Sequence, residues 1–202
     1  MKTAKFYLNN RLQKLNLKTR FYIQKKKKSP GSDGLTWEFY IFFWNEIEDF
    51  FLKSFLEIKQ AGELSYSQKN ALIKLLHKKN DRHKLKNYRP ISLINTDDKI
   101  VTKVLAKRLA MVLKNVIDES QKCVPGRQIT DNIHIAQDLI DLINKQENEA
   151  AFIFLDQEKA FDRISHNFLF KTLEKFGFGN NFIDWIKIFY KNVNSQIKLN
   201  GK

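Results

Sequence analysis

The sequence predicts an α+β fold, with helices packed on a small, mostly antiparallel sheet. Three observations carry that expectation. Apolar residues recur at helical spacing through Ile100, Val101, Val104, Leu105, Leu109, Leu113, Val116 and Ile117. Two short runs rich in β-formers, residues 71–76 and 91–94, flank a lysine-rich turn. Compact breakers, Ser29-Pro30-Gly31-Ser32-Asp33-Gly34 and Pro125-Gly126-Arg127, separate the segments without any repeat or low-complexity linker.

Taken in order, residues 1–28 form a basic lead-in that closes on Lys25-Lys26-Lys27-Lys28. After the first breaker, where Asp33 or Thr36 can cap, residues 35–60 are apolar enough for one buried helix, ended by Ala61-Gly62. The strand over 71–76 leads through His77-Lys78-Lys79-Asn80-Asp81-Arg82-His83-Lys84 to Asn87-Tyr88-Arg89-Pro90 and the second strand. A long amphipathic helix begins at Asp97, with Lys99, Lys103, Lys107 and Arg108 largely outside its apolar stripe. Helices follow over about 129–146, 165–176 and from Gly179 through Tyr190. Residues 196–199 read as a strand opening a hairpin whose turn is Asn200-Gly201.

Composition bounds the class. With 202 residues, 17 Phe and 3 Trp, the chain can bury a core. Lys and Arg number 36 against 22 Asp and Glu, a net charge of +14. That field favours phosphate backbones or anionic surfaces, although a lysine-rich surface kept for solubility would look the same. A single cysteine, Cys123, excludes an internal disulfide and a cysteine-rich zinc module. The apolar clusters, such as residues 39–44, are too short to span a bilayer, and the N-terminus has no signal-type apolar core. The expectation is a soluble intracellular chain with no membrane partner.

The richest chemistry lies in Phe152-Ile153-Phe154-Leu155-Asp156-Gln157-Glu158-Lys159-Ala160-Phe161-Asp162. An apolar β-type run ends in a carboxylate and a helix-favouring segment follows. A carboxylate at the lip of a buried strand suits a divalent metal, so Asp156 is the candidate ligand. Asp162, six positions on, caps the next helix or pairs with a lysine equally well. His134 and His166 lack any His-Cys metal spacing and read as core-edge or capping residues.

Four motifs occur in one order. Lys28-Ser29-Pro30-Gly31-Ser32-Asp33-Gly34 comes first, with Glu38-Phe39-Tyr40 after it, and then Asn87-Tyr88-Arg89-Pro90-Ile91-Ser92-Leu93 with Lys103-Val104-Leu105-Ala106-Lys107-Arg108-Leu109. Pro125-Gly126-Arg127 with Asp131-Asn132-Ile133, and the Asp156 stretch with Ser165-His166, complete the series. From about Lys28 to Gly201 this resembles the reverse transcriptases of LINE-type, non-long-terminal-repeat (non-LTR) retroelements. The resemblance implies a partial right-hand polymerase. Its lead-in would cover residues 1–28, its fingers 29–148 and an incomplete palm 149–202.

It also implies roles. Asp156 would be the first of three aspartates that hold two Mg²⁺ ions for nucleotidyl transfer. Phe161 would lie under the incoming sugar, and backbone amides near Lys159 and Ala160 would meet the triphosphate. Arg89 with Lys78 or Lys79 would grip the same phosphates. Arg127, Lys99 and Lys103 would contact nucleic acid. The implied partners are an RNA template, a DNA primer and deoxynucleoside triphosphates. The implied setting of the parent element is cytoplasm and nucleus, as a ribonucleoprotein.

Two departures qualify the implied activity. Gln121-Lys122-Cys123-Val124-Pro125 lacks the family's Gly-Phe pair, and no Asp-Asp pair follows Asp156. One carboxylate does not hold two octahedral Mg²⁺ ions, so the isolated chain is expected to lack polymerase activity. Two other readings stay open: a non-catalytic RNA- or DNA-binding module, and a functionless retroelement remnant.

Overall fold

The computed structural model describes residues 28–122, 124–146 and 149–198. The lysine run over 25–27, Cys123 and the expected Asn200-Gly201 turn lie outside the described residues. The elements in order are α1 (Trp37–Phe42), α2 (Trp44–Ala61), α3 (Tyr66–Lys69), β1 (Asn70–His77), β2 (Tyr88–Leu93), α4 (Thr96–Leu113), α5 (Thr130–Gln146), α6 (Ala160–Arg163), α7 (His166–Lys175), α8 (Asn180–Tyr190) and β3 (Asn194–Ile197). A 3-10 turn, Leu85–Asn87, precedes β2. No helix among the described residues is long and apolar enough to cross a membrane.

The helix expected over 35–60 is two helices. The chain breaks at Phe43, whose φ of −95° and ψ of 14° lie off the helical region. No Gly or Pro marks the spot. The run Phe39-Tyr40-Ile41-Phe42-Phe43-Trp44 consists of aromatic and β-branched residues, which lose rotamer freedom in a helix and so hold it weakly. At the far end Gly62 adopts the left-handed conformation at φ 70° and donates its N–H to Ile58 O at 2.9 Å, the helix stop the sequence predicts.

One core joins α1, α2, α4, α7 and α8. Phe55 and Phe182 are its most deeply buried large side chains, with Val101, Trp44 and Trp185 around them. Helix α5 adds no buried residue, and Ile133, Ile135, Leu139, Ile140 and Leu142 lie exposed along it.

The sheet order is β2-β1-β3. Strands β1 and β2 form the expected antiparallel hairpin, in a register that sets Leu76 opposite Arg89 and Lys74 opposite Ile91. Strand β3 lies on the other edge of β1 and runs parallel to it, Asn70 against Asn194 and Ile73 against Ile197. The sheet is therefore mixed. The parallel pairing is possible because the crossover from β1 to β3 passes through the helices of the core.

The strand expected to end at Asp156 is absent. Residues 151–157 have no regular structure and pair with no strand among the described residues. A strand persists only where neighbours satisfy its N–H and C=O groups. Both edges of β1 are already occupied elsewhere, by β2 and β3. Leu155 is consequently 92% exposed, and the buried run inferred from its apolar side chains is not buried here.

Candidate nucleotide and nucleic-acid interface

The β1–β2 hairpin carries the first group of predicted site residues. Arg89 lies on β2, and Lys78 and Lys79 follow the end of β1; all three are exposed. The tip that joins them is braced internally. Lys78 N–H donates to Asn87 O at 2.8 Å, Asn87 Nδ2 to Asp81 O at 2.7 Å, and Tyr88 Oη to Arg82 O at 3.0 Å. Asn80 takes the left-handed conformation at φ 66°, which asparagine tolerates, and its carbonyl meets His77 Nε2 at 3.0 Å. Residues facing one another across the pair share a face, so Lys74 sits beside Arg89 on the Leu76–Ile91 side. Lys74 was not singled out by its sequence context, and only the register places it there.

The second group follows α5. Asp156 is a single exposed carboxylate on the irregular segment. Lys159 turns the chain at φ 51°, and its carbonyl accepts the N–H groups of Asp162 at 2.9 Å and Arg163 at 3.2 Å, which starts α6. Ala160 is half-buried and Phe161 is 96% exposed, its ring unpacked. Asp162 lies within α6 rather than capping α7, whose N-cap is Ser165. Arg163 pairs with Glu158 at 3.0 Å. No hydrogen bond or ion pair joins the hairpin group to the Asp156 group among the described residues.

Three predicted nucleic-acid contacts have other work in this fold. The Arg127 guanidinium donates to the carbonyls of Gln121 at 2.8 Å, Ile117 at 2.9 Å, Lys114 at 3.4 Å and Asp118. It gathers carbonyls of the loop that follows α4 into one turn. Lys99 Nζ donates to Ser29 O at 3.2 Å, and Lys103 Nζ lies 5.0 Å from the centre of the Trp37 ring. Burial holds both lysines below the usual ammonium range. The Pro-Gly-Arg signal was readable as a turn, but nothing in its spacing told that the arginine folds back on the carbonyls of its own loop.

A polar knot anchors the first motif to α4. Asn95, 2% exposed, receives Ser32 Oγ on its Oδ1 at 3.3 Å and sends its Nδ2 to Ser67 O at 3.4 Å. Thr96 Oγ1 donates to Leu35 O at 2.6 Å, and Gln68 Nε2 to Asp97 Oδ2 at 2.8 Å. Asp98, 3% exposed, is buried beside them with Oδ1 unpartnered among the described residues. Burial first, then the charges of Asp97 and Asp33, pushes its carboxyl up to about 8. Burial also raises Asp97 and the Tyr40 hydroxyl close by. The Asp97-Asp98 pair thus sits inside the first turn of α4, whose N-cap is Asn95. His166 opens α7 with its ring 4.7 Å from that of Tyr190, a packing role.

Residues 76–202 match the family model described as reverse transcriptase (RNA-dependent DNA polymerase), a span covering more than half the chain and both candidate groups. The chain belongs to the reverse transcriptase family. This reverse-transcriptase chain is 43% identical over 174 residues to a Xenopus laevis protein, the transposon TX1 uncharacterized 149 kDa protein. It is 24% identical over 174 residues to the retrovirus-related Pol polyprotein from type-2 retrotransposable element R2DM of Drosophila melanogaster. Both alignments take in 86% of the chain, but only 13% of the first relative and 16% of the second. The kinship is with the non-LTR retroelement branch of reverse transcriptases, as the motif order predicts.

The residues present do not fit two Mg²⁺ ions. Among the described residues no group of three or more His, Cys, Asp or Glu side chains converges as a metal site. Asp156 alone supplies one carboxylate.

Proposed function

We propose that this chain is the fingers and the opening part of the palm of an RNA-directed DNA polymerase encoded by a non-LTR retroelement. In that reading residues 29–148 belong to the fingers and 149–202 to the palm of a right-hand arrangement. The observation that carries it is the family match running from the basic hairpin through the Asp156 segment. The relatives' much greater length supports a longer parent protein.

The chain's own residues divide the work. Arg89 offers a planar guanidinium that meets a phosphate bidentately, with Lys78 and Lys79 as point charges beside it. The hairpin fixes their spacing before any ligand arrives, which lowers the ordering cost of binding. Phe161, with its ring free of protein contacts, is placed to lie against a sugar and to exclude a 2′-hydroxyl. Asp156 supplies one carboxylate of a Mg²⁺ site whose other ligands belong to the parent protein. No step of the reaction is completed by the residues present, so the chain by itself is proposed to be inactive.

Primer extension on an RNA template tests this. The chain alone should add no nucleotide. The longer protein read from the same open frame should extend the primer, and Asp156→Asn should abolish that extension. Extension by the isolated chain, or full activity of the Asp156→Asn protein, would refute the assignment. RNA binding without extension in the longer protein would favour the non-catalytic binding module instead.

A further inference from the structure

The three prolines of the chain, Pro30, Pro90 and Pro125, follow Ser29, Arg89 and Val124. Ser29-Pro30 is therefore its one Ser/Thr-Pro step. A proline has no N–H, and it holds the residue before it in the extended region. An extended serine before a proline is the form in which a proline-directed protein kinase takes its substrate. Ser29 is exposed and lies in irregular backbone at the start of loop 29–34. Lys99 Nζ holds its carbonyl at 3.2 Å, and its hydroxyl has no hydrogen bond among the described residues.

The surroundings are cationic. Lys28 precedes Ser29, Lys99 bonds to it, and Lys103 stands one turn further along α4. Burial first, then the charges of Lys28 and Lys99, holds the Lys103 ammonium below its usual range. Burial lowers Lys99 as well; Asp33 opposes it, Lys28 adds to it and Asp98 opposes it. Neither carboxylate settles the cluster. Asp33 Oδ1 already accepts the Leu35 N–H at 3.1 Å, and burial pushes Asp98 up to about 8, so it is largely protonated at neutral pH. On its other side Ser29 lines a cleft of about 720 Å³ with Lys74, Arg82 and Lys198, and no carboxylate lines it among the described residues. An anion on the Ser29 hydroxyl thus faces cations of α4 on one side and of the cleft on the other.

We propose that Ser29 is a phosphorylation site for a proline-directed serine/threonine kinase, and that its phosphate is gripped by Lys28, Lys99 and Lys103. In the transfer Ser29 Oγ attacks the γ-phosphorus of ATP held by the kinase. The Oγ–P bond forms, the bond to the β,γ-bridging oxygen breaks and ADP leaves. The hydroxyl proton passes to the catalytic carboxylate of the kinase. The product carries a charge of about −1.5 to −2 and three strong acceptor oxygens. These pair with ammonium groups that otherwise repel one another, and they tie loop 29–34 to α4. The phosphate reinforces the docking that Gly31 makes on Asn95, so modification clamps the first motif in place.

The whole chain is incubated with a cyclin-dependent kinase and Mg²⁺-ATP, and the product is read by intact mass and phosphopeptide mapping. The expected result is one phosphate, on Ser29, lost in Ser29→Ala and strongly slowed in Pro30→Ala. ³¹P NMR then titrates that phosphate. Neighbouring cations favour the dianion, so its second pKa should fall by roughly half a unit or more below the usual value of about 6. Lys99→Gln, which keeps most of the stem, should return it toward that value. Lys103→Gln gives a second reading of the grip should Lys99→Gln loosen α4. Hydrogen exchange should slow over residues 29–35 in the phosphorylated chain, and not in phosphorylated Lys99→Gln.

A folded chain left unmodified while a peptide of residues 25–34 is phosphorylated would overturn the site, since the loop would not reach the kinase. A phosphate with an ordinary pKa and unchanged exchange would overturn the grip. Equal slowing of exchange by inorganic phosphate in the unmodified chain would show a site for free anions and overturn the role of attachment. Primer extension enters none of these readouts, so this proposal and the polymerase assignment can fail separately.

Discussion

Gly31 packs directly on Asn95: a Cβ built at Gly31 would overlap the Asn95 Oδ1 and lie 2.5 Å from the Asn95 backbone N. The neighbour is backbone and a buried amide, so it has no room to yield. Gly31→Ala is therefore expected to destabilise the chain by about 1–3 kcal/mol, the usual scale of overpacking. Urea unfolding checks the loss, and hydrogen exchange should show loop 29–35 opening first. An unchanged midpoint would mean that the loop is not docked on α4 in solution.

Asp98 predicts a pH dependence with a definite sign. Its folded-state pKa, about 8, lies above the ordinary aspartate value of 3.8, so the folded chain binds this proton more tightly than the unfolded one. Stability should then fall as pH rises from about 4 toward 8 and level off above, by at most about 1.4 kcal/mol per pH unit. Asp98→Asn keeps the shape and removes the titration. Its melting temperature should be nearly flat where the parent's declines, and higher than the parent's above pH 8. Parallel curves for the two proteins would refute the assignment.

Arg127 predicts a loss that lysine cannot repair. One planar guanidinium reaches four carbonyls of the loop after α4, and an ammonium cannot span that set. Arg127→Ala and Arg127→Lys are both expected to cost about 0.5–1.5 kcal/mol in chemical denaturation, through lost hydrogen bonds to mostly exposed carbonyls. If Arg127→Lys is neutral while RNA binding drops, the residue contacts ligand instead.

Phe161 makes a contrasting case. A ring that is 96% exposed contributes nothing to the core, so Phe161→Ala should shift stability by no more than about 0.5 kcal/mol. In the longer protein the same change should raise ribonucleotide incorporation. A melting temperature lowered by many degrees would show that Phe161 packs.

Helix α5 predicts self-association. Ile133, Ile140 and their exposed neighbours form an apolar face with no partner among the described residues. Light scattering should show growing aggregates despite the net charge of +14. Ile133→Lys combined with Ile140→Lys should reduce them. A monodisperse parent chain would remove the reason for the change.

Much of the fold is written in local pattern. The hairpin is legible because two β-rich runs flank a turn of Asn, Asp and Lys. Helix α4 is legible because its apolar period persists for five turns, and Gly62 marks a helix end because few residues tolerate its φ. What the sequence does not carry is partnership. An apolar run such as residues 152–155 reads as a buried strand, but burial depends on which strand lies beside it. The parallel pairing of β3 with β1 is set by how α7 and α8 pack, and the bonds of Arg127 by carbonyls that only the finished loop after α4 brings together. The candidate site follows the same rule. Arg89 and Phe161 were visible as motif residues, while Lys74 became visible only through the strand register.

The placement of β3 also sets an order of events during synthesis. The hairpin can close as soon as Leu93 is made, but the Asn70–Ile73 edge of β1 is covered only when Asn194 to Ile197 arrive. At roughly 5–20 residues per second that edge stays bare for several seconds at least. During that interval it is an open template for another chain's strand. Lys74, the next residue along β1, stands beside that edge and repels a second copy of itself. A single positive charge would thus guard the nascent chain against its neighbours on the polysome.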